Sequence, residues 1–145
     1  MSEEWFDFLK RDYVQGFTQF CGFEVELVAP GRFQARVVLR PDYLQQDGFG
    51  HAGLIATLAD HTAGYAAYTN VTPDYRILTV EFKINFFKPA RGESLVCRAR
   101  VINGGKKIIV SESEVFAVAG IEQTLISKAM VTLAVVPAAK FNSAD

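Results

Sequence analysis

Hydrophobic residues recur every four positions at the start of the chain. Trp5, Leu9, Tyr13 and Phe17 fall on one stripe, with Phe6 and Phe20 beside it. That spacing predicts one amphipathic helix over about residues 2–21. Ser2 supplies a cap, Glu3, Glu4 and Asp7 suit the positive end of the helix, and Gly22 is a natural stop. The period then shortens to two. Phe23, Val25 and Leu27, then Phe33, Ala35, Val37 and Leu39, alternate with other residues on either side of Pro30-Gly31-Arg32, which predicts a β-hairpin.

The turn-rich stretch from Pro41 to Gly50 leads into a second helical segment, about residues 53–68. It is built of Ala, Gly, Leu, Ile and Thr, with Asp60 in its middle. One turn to either side of Asp60 lie Ala56, Thr57, Ala63 and Gly64. A helix this apolar has to be buried on most sides, and small residues let it lie close to what it packs on. Gly64 costs about 1 kcal/mol against Ala in a helix interior, which close packing would justify.

Strands follow one another from there. Residues 76–90 alternate, with Leu78, Val80, Phe82, Ile84 and Phe86 on one face and Thr79, Glu81, Lys83 and Asn85 on the other. Further runs cover 94–102, 106–119 and 123–136, separated by turns at Asn103-Gly104-Gly105-Lys106 and around Gly120. The order predicts a single α+β domain over residues 1–145, an antiparallel sheet wrapped around one apolar helix.

Composition narrows the function. The chain has 145 residues, half of them hydrophobic and twelve of them Phe, which is ample for one packed core. The net charge is −1 and Lys and Arg do not cluster, so no nucleic-acid partner is expected. No apolar run approaches the roughly 20 residues that cross a membrane, and the acidic start is unlike a secretory signal. Cys21 and Cys97 form no CxxC, which suits reduced thiols in a cytoplasmic protein. Two His and two Cys suggest no metal site, and no cofactor is expected. Gly48 and Gly50 belong to neither GxxxxGK nor GxGxxG.

The element order, with Gly50-His51-Ala52-Gly53 opening the central helix and an Asp eight residues after Ala52, resembles the hotdog fold. Residues 45–60, QQDGFGHAGLIATLAD, carry a narrower resemblance to the phenylacetate-degradation (PaaI-type) acyl-CoA thioesterases, whose loop usually reads His-Gly-Gly. The resemblance extends from about Phe17 to Val136. It implies an acyl-CoA substrate and a homodimer or homotetramer with active sites between the two subunits of a dimer. One chain would contribute the loop and the other the helix carboxylate. By position, Asp60 falls on the family's catalytic acid. Ala52 falls on the glycine whose backbone N–H faces the thioester oxygen, with Gly53 next to it. Gln45 falls where relatives have an Asn or Gln contacting substrate or water. Thr79 falls where they place a Ser or Thr near the nucleophilic water. Ala52 keeps the N–H but lacks glycine's freedom at positive φ.

The residues allow that chemistry on their own terms. The first N–H groups of a helix have no intrahelical partners and favour an anion, which suits them to an oxyanion. Asp60 can act as a general base on water or attack the carbonyl directly. It lies seven residues past Gly53, roughly 10 Å along one helix, so a second chain is needed to bring both groups to one carbonyl. The bland alternative for Asp60 is a solvent-facing stripe. The small apolar residues around it argue against that. His51 is read as fixing its loop by hydrogen bonds at the edge of the substrate site. His61, about 100° around the helix from Asp60, is read as a packing or interface residue.

Phe49 and Phe82, with Tyr65, Tyr68 and Phe86, could line an acyl pocket or belong to the core. Lys88, Arg91, Lys106 and Lys107 are available to the phosphates of coenzyme A. Two rival functions stand beside hydrolysis: an acyl-CoA binding or sensor protein, and a dehydratase relying on His51. Release of free thiol separates the first rival from an enzyme.

Overall fold

The computed structural model describes residues 2–141, so the ends of the expected 1–145 domain lie outside the described residues. The chain opens with α1 (Glu3–Tyr13), capped by Ser2, whose Oγ accepts from the Trp5 N–H at 3.2 Å. Trp5, Leu9 and Tyr13 are buried along its inner stripe. The single helix expected over about 2–21 is in fact two. The Thr18 hydroxyl donates to the Tyr13 carbonyl at 2.7 Å, and Gly16 takes φ 54°, a left-handed conformation suited to glycine. The chain restarts as α2 (Phe17–Cys21) with a new face inward. Thr18 and Cys21 are buried, and Phe17 and Phe20 are exposed.

Six strands form one antiparallel sheet: β1 (Glu24–Ala29), β2 (Arg32–Val38), β3 (Tyr75–Phe86), β4 (Ser94–Gly104), β5 (Ile108–Ala119) and β6 (Glu122–Pro137), in the order β1-β2-β4-β5-β6-β3. The central helix, α3 (Ala52–Tyr68), lies on one face of this sheet and meets β2 through β6. Ala59, Ala63 and Ala66 are 0% exposed, so the small residues do allow close approach. The Ser113 hydroxyl on β5 donates to the Ala59 carbonyl at 2.6 Å, tying the sheet to the middle of the helix. Gly64 is different from what its neighbours suggest. A Cβ there would meet only Leu133 Cδ2, at 3.9 Å, so packing within this chain does not demand glycine.

β3 is an edge strand with most of its side chains exposed, including Val80 at 59%. Its expected alternation fails at one point. The pairing with β6 shifts register between Thr79 and Glu81, a β-bulge at Val80. Thr79 lies opposite Leu133 and Phe82 opposite Val131, both 0% exposed on the helix side of β6. Directly opposed residues point to the same face, so Thr79 joins Phe82 and Ile84 on the helix side. Glu81, Lys83 and Asn85 remain on the outer face, and Leu78, opposite Ala134, joins them. The extra residue of a bulge flips the alternation and re-aims the side chains beside it. Among the described residues, no helix is long and apolar enough to cross a membrane.

Candidate active site

The loop before α3 is held by its own polar groups. Gln45 Oε1 accepts from the Asp47 N–H at 2.6 Å and the Phe49 N–H at 3.2 Å, and the Gln45 N–H donates to the Phe49 carbonyl at 2.7 Å. Gly50 donates to the Ala90 carbonyl at 3.0 Å, and a Cβ on Gly50 would stand 3.0 Å from Ala90 Cβ. This loop therefore lies tight against the segment that follows β3. The Arg91 guanidinium covers the Phe49 ring at 4.5 Å on the same seam.

His51 is the N-cap of α3, and its Nδ1 accepts from the Gly53 N–H at 2.8 Å. That bond occupies the Gly53 donor, which the sequence offered as a second oxyanion contact. The Leu54 and Ile55 N–H groups donate to the His51 carbonyl. No acceptor among the described residues meets the Ala52 N–H, which leaves it as the free donor of the first turn. Among the described residues no non-glycine has positive φ, so alanine costs the backbone nothing at this position. A groove of about 490 Å³ lies over this donor, lined by Gln45, Phe49, His51, Ala52, Ile55, Phe86, Phe87 and Lys88.

Asp60 stands on α3 with Thr79 against it. The Thr79 hydroxyl donates to Asp60 Oδ1 at 2.7 Å, a bond that the bulge at Val80 makes possible. Asp60 is half-buried and shares a partly open stripe of α3 with Ala56 and Gly64, four residues to each side. Eight residues separate Ala52 from Asp60, about 12 Å of helix rise, and Asp60 does not line the groove. The candidate residues thus form two clusters in one chain: Gln45, Phe49, His51 and Ala52 at the helix start, Asp60 and Thr79 farther along.

His61 faces away from this stripe. Its Nε2 donates to the Tyr13 carbonyl at 2.9 Å, and its ring packs on Tyr13 and Tyr65 at 4.3 and 4.8 Å. Burial holds its pKa below the ordinary value, against the opposing pull of the Tyr13 carbonyl and of Asp60 and Asp12. Tyr13 hydrogen-bonds Thr62 at 2.8 Å and Tyr65 donates to Asp12 at 2.8 Å, and burial raises the pKa of both phenols. Cys97, buried nearby, is pushed up to about 12 by the same desolvation. Tyr13, Asp12, His61, Thr62 and Tyr65 thus clamp α1 onto the face of α3 away from Asp60.

Phe82 lies outside the groove lining, on the Thr79 side of β3, and Tyr65 and Tyr68 belong to the inner aromatic cluster. The groove takes its far wall from Phe86, Phe87 and Lys88 instead. Ile55 and Phe87 carried no sequence signal, because only the fold brings the end of β3 to the start of α3. Among the described residues, no group of three His, Cys, Asp or Glu could hold a metal ion.

The family model described as "Thioesterase superfamily" matches residues 47–123, more than half of the chain. A Halobacterium salinarum protein that carries the name "Putative esterase" is 30% identical over 74% of this chain and 75% of its own length. The crystal structure of a thioesterase family protein from Silicibacter pomeroyi superposes with a TM-score of 0.87 at 31% identity, covering 91% of this chain and 98% of that one. A Haemophilus influenzae thioesterase shares the fold, with a TM-score of 0.82 at 20% identity over 91% of this chain and 90% of that chain.

Proposed function

Because the chain belongs to the thioesterase superfamily, we propose that it hydrolyses acyl-CoA thioesters in the manner of the phenylacetate-degradation type. It does so as a homodimer, or as a homotetramer built from two such dimers, with each site shared between two subunits. The observation that carries the reading is the Asp60–Thr79 pair, a carboxylate on an apolar helix, oriented by a hydroxyl that a β-bulge turns toward it. A carboxylate so placed needs a use, and delivering an oxygen to a carbonyl is the one it suits.

The chemistry needs two parts. The Ala52 N–H donates to the thioester oxygen as negative charge develops there, and a donor of this kind contributes about 3 kcal/mol to the transition state. Asp60 of the second subunit takes a proton from water as the water oxygen bonds to the carbonyl carbon. The C–S bond then breaks, and the sulfur leaves with that proton as free coenzyme A. In the covalent variant Asp60 itself attacks, and water opens the resulting anhydride. A single turnover in ¹⁸O-water that leaves label in Asp60 identifies the covalent route with water opening the anhydride at the Asp60 carbonyl, since the general-base route sends all of the label into the product acid.

The distance supports sharing. Within one chain the donor and the carboxylate are about 12 Å apart. The exposed edge of β3 and the open Ala56–Asp60–Gly64 stripe offer a second copy the surface it would need. Lys88 in the groove and Arg91 beside it suit a phosphate-bearing carrier.

The test is thiol release from a panel of acyl-CoAs by wild type and Asp60→Asn. Turnover by wild type, lost in a variant of unchanged assembly, supports the reading. Binding without turnover would favour an acyl-CoA binding protein instead.

A further inference from the structure

A second concavity adjoins the groove. It is a slot of about 320 Å³ between α2 and the first two turns of α3, lined by Phe17, Phe20, Cys21, Tyr43, Leu54 and Thr57, reaching His51 and Gly53, with the exposed Arg40 and Asp42 also on its walls. His51 lines both the slot and the groove, so the two meet at the first turn of α3.

The chemistry of the slot differs from that of the groove. The buried polar groups along it are satisfied within the chain. The Tyr43 hydroxyl donates to the Cys21 carbonyl, and the Thr57 hydroxyl donates to the Gly53 carbonyl at 2.8 Å. Arg40 Nη2 donates to the Phe20 carbonyl at 3.1 Å, and its guanidinium covers the Tyr43 ring at 4.3 Å. Apart from the exposed Asp42 carboxylate, these walls ask no hydrogen bonds of an occupant and offer it aromatic surface. Phe17 and Phe20 remain 63% and 74% exposed, a cost that an apolar occupant against them would relieve.

We propose that this slot is the acyl subsite, selecting straight-chain or arylalkyl groups of medium size, and that Phe17, Phe20 and Thr57 set the preference. The inference rests on the thioesterase reading. It divides the substrate by polarity at His51. The apolar acyl tail lies between α2 and α3, and the carrier with its phosphates lies in the groove that holds Lys88.

The test compares kcat/KM for acetyl-, butanoyl-, hexanoyl- and phenylacetyl-CoA. Each methylene entering the slot raises kcat/KM about fourfold in the wild type. Thr57→Phe fills the slot. It removes that rise while leaving acetyl-CoA within about twofold of wild type. A Phe17→Ala/Phe20→Ala double variant lowers the hexanoyl value at unchanged molecular mass. The proposal is overturned if wild type shows no chain-length rise or if Thr57→Phe scales all four substrates alike. It is equally overturned if the double variant dissociates and loses every substrate together, which would make the slot an interface between copies. Absence of thiol release from every substrate would refute the thioesterase reading alone. Binding of a hexyl-CoA thioether against free CoA, wild type beside Thr57→Phe, then reads the slot separately.

Discussion

Ala52→Pro tests the oxyanion donor and the sharing of the site together. Proline lacks only the N–H that no group among the described residues accepts. Ala52 is the first residue of α3, the position at which a helix accepts proline best. His51 before it has φ −64° and ψ 138°, the extended conformation that a following proline requires. The His51 cap on Gly53 needs nothing from Ala52. The substitution is therefore expected to keep fold, melting temperature and assembly while removing one donor. Loss of such a donor lowers kcat by about 10² to 10³.

Complementation then locates the carboxylate. Random reassociation of equal amounts of Ala52→Pro and Asp60→Asn subunits makes half of the dimers mixed. In a mixed dimer one site combines an intact Ala52 with an intact Asp60, and the other has neither. Activity should return to about a quarter of wild type per site, since one in four sites is whole. The assay is thiol release after refolding the mixture, with mixed dimers counted by mass spectrometry. Full activity of Ala52→Pro alone would refute the donor assignment. Mixed dimers without recovered activity would refute the shared site.

Thr79→Val keeps the shape but removes the donor to Asp60. A hydrogen bond to a charged group is worth about 1.5–3 kcal/mol, so kcat is expected to fall roughly 10- to 100-fold with little change in KM, measured by steady-state kinetics. Gly64→Ala is expected to raise the free energy of unfolding measured in urea by up to about 1 kcal/mol of helix propensity, because within the chain its Cβ meets only Leu133 at ordinary contact distance. Loss of stability together with dissociation would place a partner's atoms there instead. The buried His61 has a folded pKa below its ordinary 6.5. The unfolded chain therefore binds the proton more readily, and stability is full above pH 6.5 and declines as pH falls through 6.5 toward the lower folded value. Thermal melts across that window should show the decline in wild type and a flatter profile in His61→Gln.

The elements were legible because burial of one face imposes a period on the residues that form it. Leu9 and Tyr13 four apart, Phe33, Ala35 and Val37 two apart, and an all-round apolar α3 can each be read locally. The break after Tyr13 was less legible. The Trp5–Phe17 stripe continues through it, and only the bond from Thr18 to the Tyr13 carbonyl reveals a new helix face. Gly64 shows a related limit: composition does not tell whether a small residue on a helix serves packing within the chain, where a Cβ would meet only Leu133 Cδ2 at 3.9 Å.

By itself the sequence determined the order of helices and strands, the family loop at residues 45–53 and the isolated carboxylate at Asp60. Each is written within a few turns or one strand of chain. Tertiary structure decided which donors are free and which side chains meet. The His51 ring takes the Gly53 N–H and leaves that of Ala52. One unpaired residue at Val80 carries Thr79 across the sheet to Asp60. A bulge is a mismatch of two strands, β3 against β6, and no pattern along one strand contains it. Likewise the groove joins the start of α3 to the end of β3, residues more than thirty positions apart that only the tertiary fold brings together.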